Sequence, residues 1–405
     1  MALKSKSMGN KMGRRALGSI VSLALLMGMT ACTRTYTVGY LYVTSPQANP
    51  GLINGYKVDY QTGTLDILED SPVPSGGKNP VGLVADPNHH KFIYVIHRDD
   101  SDVVLFAIGT DGKLYPQATY DVTGSFPTSV AVDPTDSFLY VTFTYQKGFT
   151  PALPGPGGIS IYPITTTGSG DVLTQTLGTP TTVNLDSLPV GIVLSSQNHF
   201  AYVIQQNTTT TNLLSFSVDP TSGLLTNPVP VTSSNSSSTP ALATPGSIIE
   251  DSTSSHIYVT DQTTNRLFSY TIGVNGIPNA PTTVPTGVMP MGLTIDVTGK
   301  FLYVANYQDS TLSGYTFDSN GQAVVSTVAK SVSTGNGSDC VTTIGAPNTG
   351  TPTHGIYLYA TNALSNTVTA MQMSPETGQL ASVIGSPFGA SGLPSCIVSV
   401  PSLPR

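Results

Sequence analysis

One short strand motif recurs seven times along the chain, and this repetition limits the possible architecture more than any other feature of the sequence. It is plainest as Phe301-Leu302-Tyr303-Val304-Ala305-Asn306, just after the turn Asp296-Val297-Thr298-Gly299-Lys300. The other copies centre on Tyr42-Val43, Tyr94-Val95, Tyr140-Val141, Tyr202-Val203, Tyr258-Val259 and, with one substitution, Tyr359-Ala360. Successive tyrosines lie 45 to 62 residues apart, within or somewhat above the period of a four-stranded propeller blade and longer than most solenoid repeats. Each copy is almost entirely apolar and β-branched or aromatic, which suits a sheet covered on both faces by neighbouring blades. The expected fold is all-β, a seven-bladed propeller of four-stranded antiparallel blades.

The flanking residues set the register. Ahead of most copies runs a strand that starts from Pro and ends near an Asp-Pro-like turn, at 80–87, 127–134, 189–196, 245–251 and 290–297; this is read as the innermost strand. The seventh copy departs, with Ser338-Asp339-Cys340-Val341-Thr342-Thr343 lacking the Pro and a Gly/Pro/Thr loop running on to His354. The first copy has no inner strand before it, whereas 393–400 matches the inner pattern and has no copy after it. The C-terminal strand should therefore complete the first blade in a 1+3 closure, which removes the exposed sheet edge that an open array would carry. Gly-containing turns such as Gln61-Thr62-Gly63-Thr64, Thr110-Asp111-Gly112-Lys113 and Pro375-Glu376-Thr377-Gly378 should join each blade's third and fourth strands. Three interruptions, 145–158, 205–212 and 227–245, read as surface loops.

An unbroken repeat argues for one domain despite the length of 405 residues, because blades bury their faces only against each other. Only 10% of the residues are charged and the net charge is −7, so neither nucleic acid nor anionic lipid finds the basic footprint it needs. The basic residues that do cluster, Lys4, Lys6, Lys11, Arg14 and Arg15, precede the apolar run 16–29, which has the length of an export-signal core. Met29-Thr30-Ala31-Cys32 resembles the lipobox of bacterial lipoproteins. That resemblance implies removal of 1–31, lipidation of Cys32, a tether at 32–39 before the propeller at 40–405, and a membrane lipid anchor. Thr33 after the cysteine implies the outer membrane or cell surface. A core cysteine behind an ordinary signal peptide is the alternative.

Tyr-Val-Thr-Asp at 258–261, Tyr-Val-Ala-Asn at 303–306 and Tyr-Ala-Thr-Asn at 359–362 resemble the YVTN-type repeat. The set is similar to the seven-bladed lactonase family that includes 6-phosphogluconolactonase and cycloisomerase-type enzymes, over residues 40–400. The resemblance implies the fold and, for the enzymes of the family, His- and Arg-rich openings of the inner strands. Here those openings read Pro80-Val81-Gly82, Pro127-Thr128-Ser129, Pro189-Val190-Gly191, Pro245-Gly246-Ser247 and Pro290-Met291-Gly292, so no family catalytic residue carries over.

The candidate chemistry lies in loops on the face that surrounds the channel mouth. His97, Arg98, Asp261 and Arg266 are the catalytic candidates, since a His beside an Arg and carboxylates can position water and polarise a lactone carbonyl. The ligand-binding candidates are Tyr145, Phe149, Asn306, Tyr307 and Asp339. His89, His90, His199 and His256 are expected in turns on the opposite face, as surface residues. No cofactor or metal site is expected; a divalent cation on Asp261, Asn306 and Asp339 is the lesser alternative. Cys340 and Cys396 occupy the same inner-strand position in neighbouring blades and either form a disulfide across the closing seam or are small residues where small residues are required. The first functional reading is a non-catalytic, tethered, monomeric module that binds a neutral-polar or carbohydrate-like ligand or an envelope partner. The second is a lactone hydrolase.

Overall fold

In the computed structural model each Tyr-Val strand is the second of its blade, hydrogen-bonded antiparallel between an inner and a third strand. The structure describes residues 37–402 apart from 171, 198, 207–211, 232–240, 329 and 346–354. Cys32, the expected leader, most of the expected tether, the loop up to His354 and the middles of the loops at 205–212 and 227–245 lie outside the described residues. Thr37–Arg405 forms one compact unit, and the described part contains no helix.

Seven sheets follow one another in chain order. The inner strands are Pro80–Ala85 in blade two, Ser125–Val132 in three, Leu188–Leu194 in four, Pro245–Glu250 in five, Pro290–Ile295 in six and Ser338–Ile344 in seven. Blade one closes as the pattern predicts: the C-terminal strand Ile397–Pro401 pairs with Thr37–Ser45, placing Ile397 opposite Val43 and Pro401 opposite Gly39. The first strand starts at Thr37, three residues inside the stretch read as tether, because Val38 is buried in the seam between blades seven and one.

Seven hydrophobic clusters fill the seven blade interfaces, each drawing on two neighbouring blades. The second strands lie at the centre of this packing. Leu302, Tyr303 and Val304 have no exposed surface, and the same holds for Leu139, Tyr140 and Val141. Full burial of a Leu or Val side chain is worth roughly 1.5–3 kcal/mol, so the motif is conspicuous in sequence because both faces of this strand must be apolar.

The polar letters of the motif have specific work. Five tyrosines reach forward one blade and donate to the carbonyl of the glycine in its third-to-fourth turn: Tyr42 to Gly112, Tyr140 to Gly223, Tyr258 to Gly321, Tyr303 to Gly378 and Tyr359 to Gly63, at 2.6–2.8 Å. The glycine is required because the turn needs a positive φ, +70° at Gly63, and because a β-carbon there would sit 2.2 Å from the Tyr357 ring. Blade three extends its third strand to Ser169, and Tyr94 meets Gln175 instead. The third letter, where it is Thr, braces the mouth end of the inner strand, which is bulged in blades five and seven. Thr260 accepts from the Ser247 N–H at 3.0 Å, Thr361 from Cys340 at 2.9 Å and Thr44 from Cys396 at 3.1 Å. These bulges sit at the loop-face end of the inner strands, where the extra residue re-aims side chains.

Candidate site at the channel mouth

The fourth letter of the motif holds the loop that follows. Asn306 donates to Thr311 Oγ1 at 3.0 Å and Ser313 Oγ at 2.9 Å and accepts from the Gly287 N–H at 3.1 Å. Asp261 accepts from the N–H groups of Ala243, Thr244, Thr263 and Thr264. Asn362 donates to Thr367 and Thr369. His97 stands at the same place in blade two and is wholly buried: Nδ1 is 2.7 Å from Asp102 Oδ1, Nε2 is 3.0 Å from Ser75 Oγ, and Gly77 lies so close that a β-carbon would come within 2.5 Å of the ring. His97, Asp261 and Asn306 thus spend their polar atoms on bracing loops.

The catalytic candidates lie in two separate blades. His97 and Arg98 are in blade two, with Arg98 turned outward over the Phe126 ring at 5.7 Å from its centroid. Asp261 and Arg266 are in blade five, where Arg266 donates to Thr283 Oγ1 at 3.3 Å. Among the described residues no contact joins the two pairs. Tyr145 meets Phe126 edge-on at 5.7 Å, so Arg98, Phe126 and Tyr145 make one aromatic and cationic group on the loop face between blades two and three. Phe126 was not legible as a site residue; its signal is a positive φ of 58° at a non-glycine. Phe149 covers Gly155 within its own loop, and Tyr307 is half-buried, its N–H bonded to the Met289 carbonyl.

Asp339 occupies the bulge at the mouth end of the blade-seven inner strand. The seven inner strands contain two carboxyls, Glu250 and Asp339, and no Lys, Arg or His. Glu250 is at the far end, opposite Ile257, where Ser196 and Ser254 donate to it. Asp339 keeps some water-accessible surface in the channel, yet the protein around it strips away enough solvent to push its carboxyl up to about 7. Beside it, Cys340 Sγ and Cys396 Sγ lie 3.6 Å apart as free thiols across the seam. The hydrogen shared with Cys396, together with burial, holds the Cys340 thiol well above its ordinary range.

On the opposite face His256 is buried: Nδ1 lies 3.1 Å from Asp251 Oδ2 and Gly321 of blade six packs on the ring, so it braces a turn and an interface rather than meeting solvent. An open groove of about 600 Å³ beside it is lined by Asp251, His256, Phe317 and Asn320. It lies away from the mouth, and its one His–Asp pair is committed to the turn.

The family model described as "Lactonase, 7-bladed beta-propeller" matches residues 40–184 and 192–342. The sequence has no match among curated proteins. Similar solved structures include a Bacteroides fragilis protein described provisionally as a 6-phosphogluconolactonase, with TM-score 0.70, 17% identity and coverage of 91% of this chain and 99% of that one. The periplasmic gluconolactonase of Pseudomonas aeruginosa has TM-score 0.68 and 16% identity, covering 90% of this chain and 99% of that one. Hydrazine synthase of Kuenenia stuttgartiensis, with TM-score 0.56 and 15% identity, covers 85% of this chain and 99% of that one. At these identities the likeness is one of fold.

Proposed function

Because the chain belongs to the seven-bladed β-propeller lactonase family, we propose that it hydrolyses an uncharged lactone at the channel mouth, with Asp339 as general base. The observation that carries this reading is the place of Asp339 in the bulge at the mouth end of its inner strand, where desolvation pushes its carboxyl up to about 7, near the optimum for a base working at neutral pH. The carboxylate takes a proton from water as the water oxygen bonds to the lactone carbonyl carbon. The tetrahedral oxyanion then collapses, the ring C–O bond breaks, and the proton passes from Asp339 to the departing oxygen, giving a hydroxy acid and the original carboxylate. With no Lys or Arg on the inner strands, a phosphorylated substrate has no counter-charge there, which favours an uncharged lactone. The gluconolactonase name of the Pseudomonas relative supports a sugar lactone.

Turnover of a panel of uncharged sugar lactones by the purified protein tests this reading. The expected result is hydrolysis with kcat/KM rising through a pH of about 7, and a loss of about 10²-fold or more in D339N with the fold retained. Absence of turnover, or a D339N variant as active as wild type, would overturn it.

A second reading, a binding module for a neutral-polar or carbohydrate-like ligand or an envelope partner, is favoured by the Arg98, Phe126 and Tyr145 group and by the commitment of His97 to Ser75 and Asp102. Glycan binding that is lost in Y145A, without turnover, would select it. In either case the protein acts as a monomer in the cell envelope, anchored through Cys32. Intact-mass analysis should find 1–31 removed and Cys32 lipidated; an unmodified Cys32 excludes the anchor.

A further inference from the structure

We propose that Asp86, His89 and Asp136 bind a divalent transition-metal cation between blades two and three, on the face opposite the channel mouth. One ligand atom from each residue lies within 4.8 Å of the other two. His89 Nδ1 is 2.8 Å from Asp136 Oδ2 and 3.4 Å from Asp86 Oδ2. Donors at 2.0–2.2 Å from a zinc-sized ion stand about 3–4 Å from one another, so the spacing is close to that of a loaded site.

An independent observation comes from the repeat. In blades three, five and six the equivalent aspartates, Asp133, Asp251 and Asp296, use one carboxylate oxygen on the backbone N–H groups that start the next strand and the other on the Thr two residues on: Thr135, Thr253 and Thr298. Asp86 keeps the first half of this arrangement, accepting from Lys91 N at 2.8 Å and Phe92 N at 2.7 Å through Oδ1. At the Thr position it has Asn88, whose amide turns away to the Pro134 carbonyl. Asp86 Oδ2 is therefore left without a hydrogen bond in a side chain with no exposed surface.

Across the interface, Asp136 fills a turn position with φ +56°, where blade six has Gly299 and blade five Ser254. Its side chain is 2% exposed and its Oδ1 is likewise unpartnered, while Oδ2 accepts from Asn88 N at 3.2 Å. Two buried carboxylates facing each other are costly unless a cation lies between them. Burial and the Asp86 charge both push the Asp136 carboxyl above its usual range. An imidazole nitrogen with two carboxylates suits Zn²⁺ or Mn²⁺ better than Ca²⁺ or Mg²⁺, which prefer all-oxygen sites. The half-exposed side of His89 leaves room for water as a further ligand. The metal would tie two blades together, where blades three, five and six rely on a threonine within one turn.

The test uses untagged full-length protein stripped with chelator and then titrated with Zn²⁺ and with Mn²⁺. The expected result is one Zn²⁺ retained per chain after equilibrium dialysis and a concentration-dependent rise in Tm. Binding should weaken at least tenfold in H89Q and in D136N, with H199Q unchanged. Co²⁺ should give a visible absorption band in wild type that D136N lacks, a readout independent of stability. Wild-type protein that takes up neither metal would overturn the proposal and leave His89 as a protonated partner of the two carboxylates. Folded H89Q and D136N variants that keep wild-type stoichiometry would overturn it equally.

Discussion

Tyr359 in blade seven donates its hydroxyl hydrogen to the carbonyl oxygen of Gly63 in blade one, at 2.7 Å and across 296 residues of sequence. The same contact joins four other pairs of neighbouring blades, so the closing seam is held as those interfaces are. Removing the hydroxyl leaves a buried carbonyl without its donor, and Y359F should lose about 1–3 kcal/mol in urea unfolding. Tyr202 supplies the control, since its buried hydroxyl has no partner among the described residues; Y202F should be at least as stable as wild type. Equal losses in the two variants would show that ring packing, rather than the clasp, carries the effect.

Truncation after Gly392 removes the inner strand of blade one. Thr37–Ser45 then loses its partner along Gly39–Val43 and exposes an unpaired edge beside the buried Leu41 and Val43. The truncated chain should aggregate or melt well below the full chain. Coincident melting curves in calorimetry would contradict this.

The Asp339 carboxyl gives stability a pH dependence of known sign. Its folded pKa, about 7, lies above the ordinary value of 3.8, so the folded state holds a proton that the unfolded chain releases. Its contribution is fully present below pH 4 and is lost as pH rises through about 7. D339N should match wild type near pH 4 and be the more stable protein at pH 8, by at most about 4 kcal/mol at roughly 1.4 kcal/mol per pH unit. Thermal melts of both proteins across that range check the sign.

Oxidation should join Cys340 and Cys396. Their sulfurs start 3.6 Å apart and must close to about 2.0 Å. The bond would enclose a 56-residue loop, worth about 4 kcal/mol in the loop-entropy model. Mass spectrometry of protein treated with a mild oxidant should show the loss of two hydrogens, and reductant should lower Tm. A C340A/C396A double variant as stable as the oxidised protein would leave the two residues as small fillers.

The strand order and closure were legible because Tyr303 and its counterparts must be apolar on both sides, and that demand writes itself into adjacent residues. The Tyr359–Gly63 contact was half legible: both residues stand out in their repeats, but the side chain of one reaches the turn of the next blade, which no local pattern records. His97 looked chemical by residue type. It stands at the same motif position as Asn306 and Asn362, but the bracing of its loop through Ser75 and Asp102 is visible only once the blades are packed. Asp86, His89 and Asp136 were illegible for the same reason, since Asp86 and Asp136 belong to different blades and each sits in an ordinary-looking turn.

The clasps also give the ring a sense of rotation. Each of the five tyrosines that makes one leans toward the following blade, so every clasped interface has a giver and a receiver for this contact. Because the step from blade seven to blade one has the same sense, the pattern of clasps carries no mark of where the polypeptide begins. The chain's starting point is recorded only in blade one, whose inner strand is borrowed from the other end.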